Sequence, residues 1–381
     1  MKKRFIYDMA LPADDLCNLD QERRLIMGEI SKGRKLVISG RRNTGKTSLL
    51  RNVIIPAYRS GNKPSFVLFA DLMGLTDLED LGNRLKLAFQ LGLSQAFPAQ
   101  AQWQSIWNYL KGLKPSFSVD PVTGEPTISI DWQVKSTNKS FETILQNVNE
   151  IHLKNKALIV LDEFQDISFV KTAEAKLRAV LQNLSPDLPV IVSGSKKHLM
   201  AKIFSVPNAP FASWGRDIDI PTIDSAEYQM SYLKYVNDRF SSNNLIIEKS
   251  EFAHLLKMSQ RIPEPVNIVC DHIMRTYQDK KISLQDVKTA FIESVSERRT
   301  RYEERLKFFR ETEKLALINI AYHGPIKKPK GKEFIHLMKK VSPTTVYSTI
   351  NRLEDQAEIY DTAEGYLVAD PLFAEFLRRN R

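Results

Sequence analysis

One stretch constrains this chain more than any other: Gly40-Arg41-Arg42-Asn43-Thr44-Gly45-Lys46-Thr47-Ser48, set between two apolar segments. Leu36-Val37-Ile38 before it reads as a buried parallel strand, and Leu49-Leu50 after it opens a helix. Strand, glycine loop and helix, in that order, is the setting in which G-x-x-x-x-G-K-T cradles phosphates. Gly40 and Gly45 let the backbone turn so that successive N–H groups converge on an anion, and the helix adds its N-terminal dipole. Lys46 is expected to reach the β- and γ-phosphates, and the Thr47 hydroxyl to sit on Mg²⁺.

A second stretch answers the first. Ala157-Leu158-Ile159-Val160-Leu161 ends in Asp162-Glu163, an apolar strand delivering two acids at its carboxyl end. Asp162 is placed to support the metal with Thr47, and Glu163 to polarise an attacking water. Pro189-Val190-Ile191-Val192-Ser193-Gly194 leads to Ser195, a polar residue suited to sensing the γ-phosphate. Arg216 precedes a short alternating strand and is a candidate phosphate contact, in cis or from a neighbouring subunit.

Around these stretches the chain divides into an α/β domain (1–224), a helical lid (225–300) and a C-terminal unit (301–381). Residues 94–140 read as an insertion. There Trp103 and Trp107 share a helical face, and Phe117–Val119 alternates against Ile128–Ile130 as a hairpin, together a local satellite core. Ser283 is the expected N-cap of a helix reaching Ser296, and residues 297–310 read as a linker or solvated helix. In the last unit, helices are expected over 311–322 and 333–340, and a third from Pro343 with Ser342 as N-cap. Val346, Ile350 and Leu353 form that helix's buried stripe, and Ile359–Asp361 pairs with Tyr366–Val368. Three helices and a hairpin make a winged helix-turn-helix. Lys327, Lys328, Lys330, Lys332, Thr344, Thr345, Ser348 and Arg352 are its candidate contacts to double-stranded DNA. Acids at Glu354, Asp355, Glu358, Asp361 and Glu364 on the wing side argue the other way, since they would repel a duplex held against it.

Composition excludes little and agrees with the rest. A net charge of +10 suits an anionic partner. Cys17 and Cys270 are the only cysteines, so a disulfide framework is not expected and a cytoplasmic setting is. No apolar run approaches a membrane span, and the scattered histidines have no ligand spacing.

Taken together, the loop 40–48, Val160–Gln165, Ser193–Ser195, Trp214-Gly215-Arg216 and the terminal winged helix resemble archaeal-type P-loop ATPases of the STAND branch of AAA+ proteins, relatives of origin-recognition ATPases. The resemblance covers nearly the whole chain. It implies an AAA+-like parallel sheet followed by a helical lid and a winged helix, with ATP and Mg²⁺ as ligands. The whole loop, Gly40 through Ser48, is then the nucleotide cradle. Lys46, Asp162, Glu163, Ser195 and Arg216 are the catalytic set, and Thr47 and Asp162 the metal set. Two departures stand out. The family's Gly-x-Pro sensor reads Arg261-Ile262-Pro263 here, leaving Pro263 as hinge and Arg261 as an extra phosphate contact, and the Phe-x-Gly-Arg leader is missing before Asp20. Two functions compete: a slowly hydrolysing ATP switch that changes how the winged helix meets DNA, a protein partner or another copy, and a DNA-binding regulator in which ATP is mainly structural.

Overall fold

The structure, a computed structural model, describes residues 4–97, 110, 113–119, 126–132, 140–339 and 341–380. It divides into two compact units: Leu19–Gly40 with Lys46–Ile220, and Met1–Asn18 with Arg41–Gly45 and Pro221–Arg381. The phosphate-loop tip thus groups with the second unit, while the strand before it and the helix after it belong to the first.

In the α/β unit, α1 (Asp20–Ile30) precedes β1 (Lys35–Gly40). Beyond the loop, α2 (Lys46–Leu49) passes through a π-helical turn (Leu50–Ile54) into α3 (Ile55–Gly61), an irregularity of the kind found at functional sites. Then come β2 (Ser65–Asp71) and α4 (Leu78–Ala96), whose N-cap Asp77 accepts from the Glu79 and Asp80 amides. The insertion contributes β3 (Leu113–Val119) antiparallel to β4 (Pro126–Trp132), with Phe117 opposite Ile128 as the alternation implies. Trp103, Trp107 and the turn at 121–124 lie outside the described residues. The unit continues with α5 (Ser140–Lys154), β5 (Lys156–Asp162), a 3₁₀ turn (Phe164–Phe169), α6 (Ala173–Gln182), β6 (Val190–Gly194), α7 (Lys197–Phe204) and β7 (Arg216–Ile220).

The five strands run parallel in the order β2-β5-β6-β1-β7. This is the AAA+-like sheet expected. β5 is buried from Ala157 through Asp162, the mark of a strand covered on both faces. Because β6 lies between β1 and β5, the residue that follows it, Ser195, emerges between the strand that carries the loop and the strand that carries the acids.

The second unit contains α8 (Ala226–Phe240), β8 (Ile246–Ile247), α9 (Lys249–Met258), α10 (Pro263–Thr276), β9 (Lys281–Ile282) and α11 (Leu284–Ser296). The helix-only expectation for 225–281 is corrected here by a short parallel pairing of β8 with β9. The N-terminal segment completes this core, with Phe5 edge-on to Tyr235 and Phe240. Ser283 caps α11 in a full capping box with Asp286. The charged stretch forms α12 (Arg299–Lys307), whose single buried residue, Tyr302, packs on Phe373 and Phe376.

The terminal unit follows the expected plan: α13 (Glu311–His323), α14 (Lys332–Leu337), α15 (Pro343–Asp355), β10 (Ile359–Thr362) and β11 (Gly365–Val368). Ser342 accepts from the Thr345 amide, and Val346, Ile350 and Leu353 are fully buried. A bridge between Ile326 and Tyr366 adds a third segment to the wing. It demands glycine at 365, where φ is +128° and a Cβ would fall 2.6 Å from the Ile326 carbonyl carbon. A last helix, α16 (Pro371–Arg379), unforeseen from the sequence, packs against α11 and α13.

Candidate functional site

The loop leaves β1 at Gly40 and closes on itself. Asn43 (φ +66°) and Gly45 (φ +91°) both take left-handed backbone, which short polar residues and glycine tolerate best. The Thr44 hydroxyl donates to the Arg41 carbonyl at 2.8 Å, and the buried Lys46 ammonium donates to the Gly40 carbonyl at 3.2 Å. Lys46 therefore folds back along the loop it follows.

Thr47 and Asp162 meet as their types require. The Thr47 Oγ1 donates to Asp162 Oδ2 at 2.6 Å, with Asp162 only 1% exposed at the end of β5. Burial pushes the Asp162 carboxyl above its ordinary range, opposed by the Thr47 hydrogen bond and helped by the charge of Glu163. Hard oxygen donors around a carboxylate that burial disfavours as an anion are what a magnesium ion would relieve.

Glu163 has left-handed backbone (φ +50°). Its Oε2 receives the Ser195 hydroxyl at 2.9 Å and the Gln165 amide at 2.6 Å. Glu163 and Ser195, 32 residues apart, are thus joined directly. Gln165, to which the sequence assigns no role, is fully buried among them.

Arg216 requires a correction. It opens β7 opposite Leu36, whereas Gly40 lies opposite Ile220 at the other end of the pairing. Its Nη1 binds Glu29 Oε1 at 2.8 Å. In a parallel sheet this is the end away from the phosphate loop, so a contact in cis is not available to it. The neighbouring-subunit alternative is unaffected.

Within the second unit, the side chain of Arg41 is a node. Its guanidinium lies 4.2 Å from the centroid of the Tyr360 ring on β10. Nη2 donates to Gln260 Oε1 at 2.7 Å and to the Ala369 carbonyl at 3.3 Å, and Nη1 to the Gln260 carbonyl at 3.4 Å. Arg41 is 8% exposed, and burial pulls it below its ordinary value against the influence of Tyr360 and Asp224. Gln260 also donates to the Val368 carbonyl at 3.0 Å. Gln260 (φ +50°) and Arg261 (φ +57°) are consecutive left-handed residues, a strain of about 1–2 kcal/mol each. The place of the family glycine thus keeps glycine-like backbone without glycine. Arg261 itself lies 3.7 Å from Asp224.

On the winged helix, Lys327, Lys328, Lys332, Thr344, Thr345 and Ser348 are exposed. Lys330 is exposed as well and donates to Asn351 Oδ1 at 2.6 Å. Arg352 is partly exposed. It forms a 3.1 Å ion pair with Glu313, which is 3% exposed, and so ties α15 to α13.

Comparison with known proteins agrees with this architecture. Residues 300–379 match a family model described as a probable winged helix domain. No curated protein matches the sequence. The Walker-type ATPase of Pyrococcus abyssi superposes with a TM-score of 0.64 at 17% identity, over 98% of this chain and 99% of that one. The ORC2 protein of Aeropyrum pernix, solved in ADPNP–ADP complexes, superposes at 0.51 and 13% identity over 94% and 92%. Among the described residues no helix is long and apolar enough to cross a membrane. The chain carries the fold of the archaeal ORC-like P-loop ATPases, with a winged helix at its C-terminus.

Proposed function

We propose that the chain is an ATP-binding, slowly hydrolysing switch of the STAND kind, working in the cytoplasm, in which the nucleotide loop controls how the winged helix is presented. On this reading the working parts are an ATPase domain to about residue 224, a lid to about 300 and the winged helix beyond. The cradle is Gly40–Ser48. Mg²⁺, held by Thr47 and Asp162, would neutralise part of the triphosphate charge. Glu163 takes a proton from the water whose oxygen bonds to the γ-phosphorus, while the bond to the β–γ bridging oxygen breaks and ADP and phosphate result. Ser195, held on Glu163, faces the same phosphate.

The observation that carries the switch is Arg41, a loop residue buried on the wing tyrosine Tyr360 and bonded to the lid residue Gln260. A triphosphate entering next to Arg41 offers the guanidinium anionic oxygens in bidentate geometry, whereas Ala369 and Gln260 offer only neutral carbonyl and amide oxygens. ATP and the wing therefore compete for one side chain.

The basic test is thermal unfolding with and without MgATP, and ATP turnover with and without duplex DNA. Wild type should gain stability with MgATP, and Lys46→Ala should lose that gain. An equal shift in the two proteins would refute the loop assignment. The second reading, a DNA-binding regulator with structural ATP, draws on the exposed Lys327, Lys328 and Lys332 beside Thr344, Thr345 and Ser348. It would be favoured by nucleotide binding without turnover, with or without DNA.

A further inference from the structure

Gln165 lies in the turn after the two acids, is 0% exposed, and spends both ends of its amide on the proposed catalytic groups. Its Nε2 donates to Glu163 Oε2 at 2.6 Å and to Asp166 Oδ1 at 3.1 Å, and its Oε1 accepts from the Ser195 amide at 3.2 Å. We propose that Gln165 is a positioning residue that fixes the Glu163 carboxylate and the Ser195 backbone in one frame and aims Glu163 at the water. The proposal rests on the reading that Glu163 activates that water.

Three features make the amide specific to this role. Nε2 faces two carboxylates while Oε1 faces an N–H, so the site asks for donor and acceptor on one planar group. A glutamate in its place would bring a third carboxylate against Glu163 and Asp166, and a methionine would take one donor from each of them and leave the Ser195 amide without its acceptor. The frame behind Gln165 is itself held: Asp166 accepts from Lys196 Nζ at 2.9 Å and from the Gly74 amide at 2.8 Å. Finally, a Cβ on Gly194 would fall 2.4 Å from both Gln165 Oε1 and Met200 Sδ, so glycine at the end of β6 leaves room for the amide and for Met200 together.

The consequence for Glu163 is an asymmetric carboxylate. Both donors, the Gln165 amide and the Ser195 hydroxyl, converge on Oε2. Among the described residues none donates to Oε1, and that oxygen is the one presented to a water proton. A carboxylate so pinned cannot rotate about its last bond without breaking two hydrogen bonds. Its orientation is therefore set before ATP arrives, the condition under which a general base is most effective.

The test is a double-mutant cycle on the full chain, with Gln165→Met and Glu163→Gln alone and combined. Steady-state ATP turnover is measured, MgATP binding is measured in the Glu163→Gln background, and thermal unfolding confirms folding. Gln165→Met should lower kcat by about 10²-fold, the cost of a misplaced catalytic group. Its effect on MgATP affinity should stay within about twofold. In the Glu163→Gln background, adding Gln165→Met should change the residual kcat by less than about twofold, because there is no longer a base to aim. A purely structural glutamine would instead lower both rates alike. Should Gln165→Met not fold, Gln165→Asn, which keeps the amide but withdraws it by one methylene, is measured the same way. Unchanged kcat in a folded Gln165 variant, or losses that multiply in the double mutant, overturns the positioning role alone. Unchanged kcat in Glu163→Gln overturns the underlying reading of Glu163 and the positioning role with it.

Discussion

If ATP and the wing compete for Arg41, weakening the wing's hold should tighten ATP. Tyr360→Leu removes the aromatic face that lies 4.2 Å from the Arg41 guanidinium while keeping an apolar side chain on β10. A cation–π contact to a largely desolvated guanidinium contributes about 2 kcal/mol. The hydrogen bonds to Gln260 and Ala369 remain, so the docked arrangement is weakened rather than lost. When ATP binds only the undocked form, its apparent affinity scales with the undocked fraction, and about 2 kcal/mol corresponds to up to about 30-fold. The gain is smaller where docking is itself favoured by less than that. The assay is calorimetric titration with MgATP in the Glu163→Gln background, so that nucleotide is not consumed. The same titration in Arg41→Met supplies the control: there Tyr360→Leu should have no effect, since the contact is already absent. Reciprocity adds an independent readout, because MgATP should increase proteolytic access to the wing strands by the same coupling. Equal ATP affinity before and after Tyr360→Leu, or an equal change in both Arg41 backgrounds, would refute the competition.

Two further outcomes follow from the second unit. Burial, with Asp370, pushes the Glu264 carboxyl up to about 7 against Arg42, Arg301 and Arg298. A raised value means that the native state holds the proton longer, so the associated stability is full below about 4.5 and lost as pH rises to about 7, at most about 3 kcal/mol. Chemical denaturation across pH 4–8 should show that decline in wild type and not in Glu264→Gln, and parallel curves would refute it. On the winged helix, replacing Lys327, Lys328 and Lys332 together by Ala should reduce the salt dependence of duplex binding by a log–log slope of about 3. Arg352→Ala should leave that slope alone and lower stability by roughly 3 kcal/mol, because the buried Glu313 loses its ion-pair partner. An unchanged slope in the triple variant would move the DNA contact elsewhere.

What could be read in advance was whatever local chemistry dictates. The phosphate loop needs particular residue types at particular spacings, and the pair Thr47–Asp162 follows from two such stretches once their strands are parallel neighbours of β6. The Ser342 cap and the stripe Val346, Ile350, Leu353 are equally local. Some legible signals are nonetheless absent from the expectations: Phe141, Ile144, Leu145, Val148 and Ile151 recur at helical spacing and build α5, and Asp370-Pro371 announces α16 as cap and first helical residue. The Arg41 node is of a different kind, because its partner Gln260 is 219 residues away and a guanidinium carries no sign of which ring it will stack on. Gln165 is intermediate. Its neighbours in sequence are the acids themselves, but its second partner, Ser195, arrives on another strand, and only that arrival turns a polar residue in a turn into a clamp.

The case of Arg216 shows how far strand direction alone could have gone. In a parallel sheet the phosphate loop leaves from the carboxyl end of its strand, so a residue of the sheet that meets the phosphates in cis must also come from a carboxyl end. Asp162 closes β5, Glu163 follows it and Ser195 follows β6, and all three satisfy that condition. Arg216 is the first residue of β7 and fails it, whatever its charge. Its pairing with Glu29, itself at the end of α1 just before β1 begins, is what the amino-terminal end of the sheet has to offer a cation. Position along the strand therefore separates the residues gathered around Thr47 from the one that is not, and any role for Arg216 in hydrolysis has to be exerted on another copy of the chain.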